Sequence, residues 1–195
     1  LGLVLAFVAG AINAGGFLAV RQYTSHMTGV VSAMADNLAL GEMALVLDGI
    51  GALFSFLLGA ACSAVMINFS RRRRLHSEYA LPLLLEALLL LCFGLLGAQL
   101  ALIPGLFVPV TVMLLCFIMG LQNAMITKLS QAEIRTTHLT GVITDIGIEL
   151  GKLLYWNRLQ QDPALKVRAN RDRMAVLGLL VAGLFLGGRS EERRV

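Results

Sequence analysis

The stretch "TTHLTGVITDIG" (residues 136–147) is a polar interruption in an apolar chain, and "TSHMTGVVSAMA" (residues 24–35) repeats it. Five of the twelve positions are identical: Thr24/Thr136, His26/His138, Thr28/Thr140, Gly29/Gly141 and Val30/Val142. Upstream, "AGAINA" (9–14) aligns with "MGLQNA" (119–124), which sets Asn13 opposite Asn123. Asn13 and His26 are 13 residues apart, and Asn123 and His138 are 15 apart. The repeated unit is an apolar helix carrying Asn-Ala, a short polar connector, and a second helix opened by [Thr/Ser]-His-x-Thr-Gly-Val. One His-x-Thr-Gly pair could arise by chance; both motifs, in the same order at nearly the same spacing, could not.

The surroundings of the repeat set the fold class. Hydrophobic residues make up 57% of the 195 and charged residues 14%, against about 25% charged in soluble domains. Mean hydropathy is +0.79. Apolar runs at 1–20, 44–69, 80–102 and 104–127 reach the roughly 20 residues that cross a hydrocarbon core. The expectation is an all-α, polytopic helical integral membrane protein, a single membrane domain over 1–195. Its repeats cover about 1–102 and about 104–195, with helices at 1–20, 27–41, 44–69, 80–102, 104–127, 138–155 and 174–188. The last run, of 15 residues, is short for a span unless tilted or truncated.

Other classes fall away. Residues 1–20 lack the basic start and Ala-x-Ala exit of a cleaved signal peptide. The chain opens without Met inside an apolar run, so a short preceding segment is expected. Cys62, Cys92 and Cys116 stand singly in apolar runs, which suits small buried residues and no metal site. The net charge of +4 comes from basic residues between apolar runs, the pattern that orients a membrane protein rather than one that binds nucleic acid. No cofactor is expected, no catalytic motif stands out, and association between copies is left open.

Those basic residues test the topology. If every segment crossed, Arg71–Arg74 and the cluster of Arg158, Lys166, Arg168, Arg171 and Arg173 would face opposite sides, against the positive-inside tendency. If each His helix is re-entrant, those residues, Lys128 and Arg135 share the cytoplasmic face, and the copies become inverted repeats as in many transporters. Irregular backbone at mid-membrane depth is tolerated only beside protein or a water-filled cavity. The two helix starts then meet at one centre. Thr28 and Thr140 are placed to cap them, and Gly29 and Gly141 to let another backbone approach.

The candidate substrate-binding residues follow from this centre: Asn13, His26, Thr28, Gly29, Asp36 and Asn37 in the first copy, and Asn123, His138, Thr140, Gly141, Asp145 and Glu149 in the second. His138, Asp145, Glu149 and Lys152 fall within about 40° on one helical face. His138 and Asp145 are expected to form a substrate or proton path, the alternative being that Asp145 hydrogen-bonds a neighbouring helix. Glu149 and Lys152 are expected to pair locally at i,i+3, with a place on the path as their alternative. Asp48 and Glu86 are expected near the membrane interface, and the small residues of "GALFSFLLGAACSA" (51–64) favour close helix packing. The expected function is a small-solute transporter or channel, not an enzyme. The positive helix starts favour an anionic solute. The alternatives are an intramembrane enzyme and a structural or partner-binding membrane protein.

The segments "AFVAGAINAGGFLAV", "YTSHMTG", "MGLQNAMITKLS" and "IRTTHLTGVITDIGIELGK" resemble those of the YoaK-like bacterial membrane proteins, domain of unknown function 1275. The resemblance covers roughly residues 1–187. It implies an all-helical, multi-pass protein of the bacterial inner membrane and supplies no substrate. Members continue in apolar sequence where this chain reads "GGRSEERRV", so the chain is expected to stop short of the family's length.

Overall fold

Leu-, Val- and Ala-rich runs form helices because a chain without water as a partner must satisfy its backbone internally. The computed structural model describes residues 1–20, 24–74, 77–100, 104–129, 139–154 and 169–192. Its helices are α1 (Gly2–Val20), α2 (Met27–Leu40), α3 (Met43–Arg72), α4 (Ala80–Leu100), α5 (Pro104–Leu129), α6 (Leu139–Leu154) and α7 (Arg171–Glu192). Three are long and apolar enough to cross a membrane, over Met43–Arg72, Val108–Leu129 and Arg171–Ser190. The all-helical expectation holds. Its largest miss is the last helix, which runs 22 residues rather than 15 because Arg171–Arg173 and Arg189–Glu192 extend the apolar run at both ends.

Punctuation is local. Pro104 opens α5, where its missing N–H removes no helical bond. Gly41 closes α2 at φ 80°, a left-handed conformation that suits glycine. The Gly41 N–H then donates to Leu38 O, and Glu42 N–H to Asn37 O. Only Gly41 and Glu42 separate α2 from α3, so the two helices form a tight hairpin.

The most extensive contacts are α3 with α5 and α1 with α7. Along α3 and α5 the partners rise together: Ala52 packs on Val112 and Cys116, Ile67 on Met125 and Ile126, and Lys128 donates to Asn68. These helices run parallel. So do α1 and α7, where Ala6 packs on Leu177 and Leu180 and the Gly10 level meets Leu184 and Gly188. By contrast α1 and α5 are antiparallel. Leu5 lies by Met125 and Ile126, Ala9 and Ile12 lie by Leu115, Ile118 and Met119, and Gln122 Nε2 donates to Leu5 O at 3.1 Å.

Both parallel pairs close on glycine. A Cβ on Gly59 would overlap Phe117 O, and one on Gly120 would overlap Phe56 O. In the other pair a Cβ on Gly10 would overlap Leu184 O, and one on Gly187 would overlap Phe7 O. In each case the glycine faces the carbonyl three residues before the partner glycine. Small residues permit such close backbone approach, so the packing role expected of 51–64 is borne out at Gly59.

The outer surface is apolar as well. Leu57, Val65, Leu84, Leu88, Leu95 and Phe185 are all exposed. So many exposed large apolar side chains exceed what water-soluble monomers present and suit contact with acyl chains.

Candidate functional site

After α1 the described chain resumes at Thr24, inside the molecule. Thr24 is 1% exposed, and a Cβ on Gly16 would meet Leu115 Cδ1 at 3.1 Å and Thr24 Oγ1 at 3.7 Å. Thr24 therefore lies about a turn below the end of α1. From there α2 runs antiparallel to the first part of α3: Met27 and Val30 pack in the cluster of Ala52, Val112 and Phe56, and Met34 lies on Gly49. The start of α2 is thus level with Phe56, about 20 Å along α3 at 1.5 Å per residue.

Between α2, the first turns of α3 and the first half of α5 lies a cavity of about 320 Å³, at the lower end of the range of small-ligand sites. His26, Gly29, Val30, Ala33, Met34 and Asn37 line it from the α2 side. From α3 come Leu45, Asp48, Gly49 and Ala52, and from α5 Val108, Pro109, Val112, Met113 and Cys116. Three of the residues expected from sequence, His26, Gly29 and Asn37, therefore share one cavity. The imidazole of His26 folds over Gly29, where a Cβ would come within 2.6 Å of Nδ1.

Other expectations change. Thr28 does not cap α2: the helix begins at Met27, so Thr28 falls inside its first turn and is exposed, and the N-cap is His26 without a side-chain cap bond. Asp36 is exposed and does not line the cavity. Asp48, expected near the interface, is exposed in the second turn of α3 and also lines the cavity. The sequence signal was its distance from Gly41, since a two-residue turn folds the start of α3 back along α2. Glu86, also expected near the interface, is buried against protein. It is 3% exposed, with neither carboxylate oxygen hydrogen-bonded. It lies on the face of α4 that carries Leu83, Leu89 and Leu90 against α1 and α5.

In the second copy the acidic residues are occupied. Asp145 pairs with Arg173 of α7 at 3.1 Å. Glu149, buried, accepts from Lys152 Nζ at 2.8 Å and from the Asn170 backbone N–H at 2.7 Å. These contacts favour local pairing over an open path. Thr140 and Gly141 are exposed in the first turns of α6, and Thr140 O accepts from Thr144 Oγ1. Asn13 is half-buried with an unpartnered Oδ1, and Asn123 O accepts from Thr127 Oγ1. His138, Arg21, Arg135, Arg158, Lys166 and Arg168 lie outside the described residues. Among the described residues, no group of three His, Cys, Asp or Glu side chains could hold a metal.

An all-helical chain with three helices apolar and long enough to cross a bilayer, an apolar exterior and a cavity between its helices is a helical membrane protein. The chain belongs to the family described as Protein of unknown function (DUF1275), whose pattern matches residues 1–192. It is similar to the UPF0700 transmembrane protein YoaK of Bacillus subtilis (strain 168). The two are 27% identical over 156 residues, 80% of this chain and 68% of that protein. No solved structure matches it.

Proposed function

We propose that the protein moves a small solute across the bacterial inner membrane, as a multi-pass transporter or channel built from two inverted three-helix units, α1–α3 and α5–α7. The observation that carries this reading is the cavity at the start of α2, where non-helical backbone lies level with the middle of α3 and the polar side chains of His26, Asn37 and Asp48 line a partly open pocket. Within a membrane, irregular backbone at such depth belongs beside a solvated path or substrate site.

The helix packing supports the inverted relation. Gly10 and Gly120 occupy matching places in the sequence repeat, and each closes a parallel crossing in the same reciprocal way. Matching Gly59 with Gly187 also aligns the first residues of α3 and α7, Met43 and Arg171. The antiparallel contact of α1 with α5 then relates one unit to the other by a reversal of direction. On this reading α2 and α6, of 14 and 16 residues, each return to the face they came from.

Flux into proteoliposomes holding the full chain tests the function, with a panel of small cations, anions and neutral solutes. At least one solute should move, and His26→Ala should reduce that flux by about tenfold or more without lowering the melting temperature. A cavity-lining group contributes little to packing, and water satisfies the neighbours it leaves. Flux that merely follows the amount of folded His26→Ala protein, or no flux of any solute, contradicts the proposal.

A further inference from the structure

We propose that the cavity between α2, α3 and α5 binds a primary ammonium ion carried on an apolar body, with the Asp48 carboxylate as its counter-charge. The inference rests on the carrier reading above and names its substrate class. Most of the wall is aliphatic or thioether, from residues such as Val30, Met34, Ala52, Val112 and Met113. Its polar groups are His26, Asn37 and Asp48, and neither Lys nor Arg lines it. Asp48 makes no ion pair or side-chain hydrogen bond among the described residues. An ammonium group offers three donors, and the Asp48 carboxylate can accept from it; His26 and Asn37 lie about 16 Å apart along α2 at 1.5 Å per residue, so they face different parts of a bound molecule.

An anion suits this wall poorly. The start of α2 supplies only about half a positive charge, against the full negative charge of Asp48. The lining therefore reverses the anion preference that the helix starts alone suggest.

The second unit shows what such a carboxylate pairs with. Aligned on Gly59 and Gly187, the cavity residues Leu45, Gly49 and Ala52 correspond to Arg173, Leu177 and Leu180. In the second unit, the guanidinium of Arg173 meets Asp145, and Leu177 and Leu180 pack on Ala6 and Val142 to fill the space. The first unit has Leu45 in place of the arginine, keeps small Gly49 and Ala52, and carries its carboxylate on α3 with no cation paired to it among the described residues. Its site is open, and the cation must come from solution.

Calorimetric titration of the full chain in lipid-free detergent micelles tests this, with butylammonium, butyrate and butan-1-ol as probes of matched size. Butylammonium should bind about tenfold or more tightly than either other probe, the discrimination expected of one charge-assisted hydrogen bond. Asp48→Asn should remove that preference and keep the melting temperature. Gly49→Leu should abolish binding of all three, since its new side chain drives Met34 into the cavity: a Cβ there meets Met34 Sδ at 2.9 Å. If Gly49→Leu does not fold, the Asp48→Asn comparison decides alone. Butyrate binding as tightly as butylammonium, or unchanged butylammonium binding by folded Asp48→Asn, overturns the proposal. Asp48-dependent amine binding without flux of any solute keeps the site and removes the carrier reading. His26-dependent flux of another solute, without amine binding, does the reverse.

Discussion

Gly59 and Gly120 sit where α3 and α5 touch backbone to backbone, and a side chain there has nowhere to go. Gly59→Val is expected to destabilise by about 1–3 kcal/mol or more, the usual penalty of overpacking. Gly94→Ala is the control, because nothing lies within 4 Å of a Cβ on Gly94. It should stabilise α4 by about 0.5–1 kcal/mol by restricting the unfolded backbone. Unfolding titrations in mixed micelles measure both, and equal effects would contradict the crossing. Glu86 gives a second residue-scale prediction. Its buried carboxylate has no partner among the described residues, so Glu86→Met should raise stability by about 1–3 kcal/mol by removing an unsatisfied polar group. Ionisable groups inside a membrane are retained for function, so the same variant should lose transport. A Glu86→Met protein that is both less stable and fully active contradicts this account.

At the scale of elements, helix α6 is held to α7 by polar contacts of unequal worth. The Asp145–Arg173 pair is half-exposed on both sides, and such pairs contribute at most about 1 kcal/mol. Glu149 is buried and holds both Lys152 and the backbone of Asn170. Glu149→Ala should therefore lower the melting temperature clearly more than Asp145→Asn does, and the reverse order would show that α6 is anchored elsewhere. The helices themselves were legible in sequence to within a few residues, because long Leu- and Val-rich runs have no other stable form in lipid. His26 and Gly29 were legible because the repeat singles them out opposite His138 and Gly141, and Asn37 because the same alignment sets it opposite Glu149. The α3 and α5 walls were not. Asp48 reads as one acid near the end of an apolar run, Val112 looks like any lipid-facing residue until the parallel pairing of α3 and α5 turns it inward, and Cys116 reads as buried without showing what it faces. The side-chain partner of Asp145 was equally hidden, since Arg173 belongs to a different helix 28 residues on.

For the whole molecule, the central claim is that two units of opposite direction each send one short helix in and back. The measurement that tests it most directly is the sidedness of labelling of single cysteines placed in a full chain whose Cys62, Cys92 and Cys116 have been replaced. If α2 returns to its own face, cysteines at Arg21 and Glu42 must label from the same, outer side with an impermeant maleimide. If α6 does likewise, cysteines at Lys128 and Trp156 must both label from the cytoplasmic side. The account predicts this pattern in both pairs. Opposite-side labelling within either pair would mean that the His-x-Thr-Gly helix crosses completely, and would contradict the inverted arrangement.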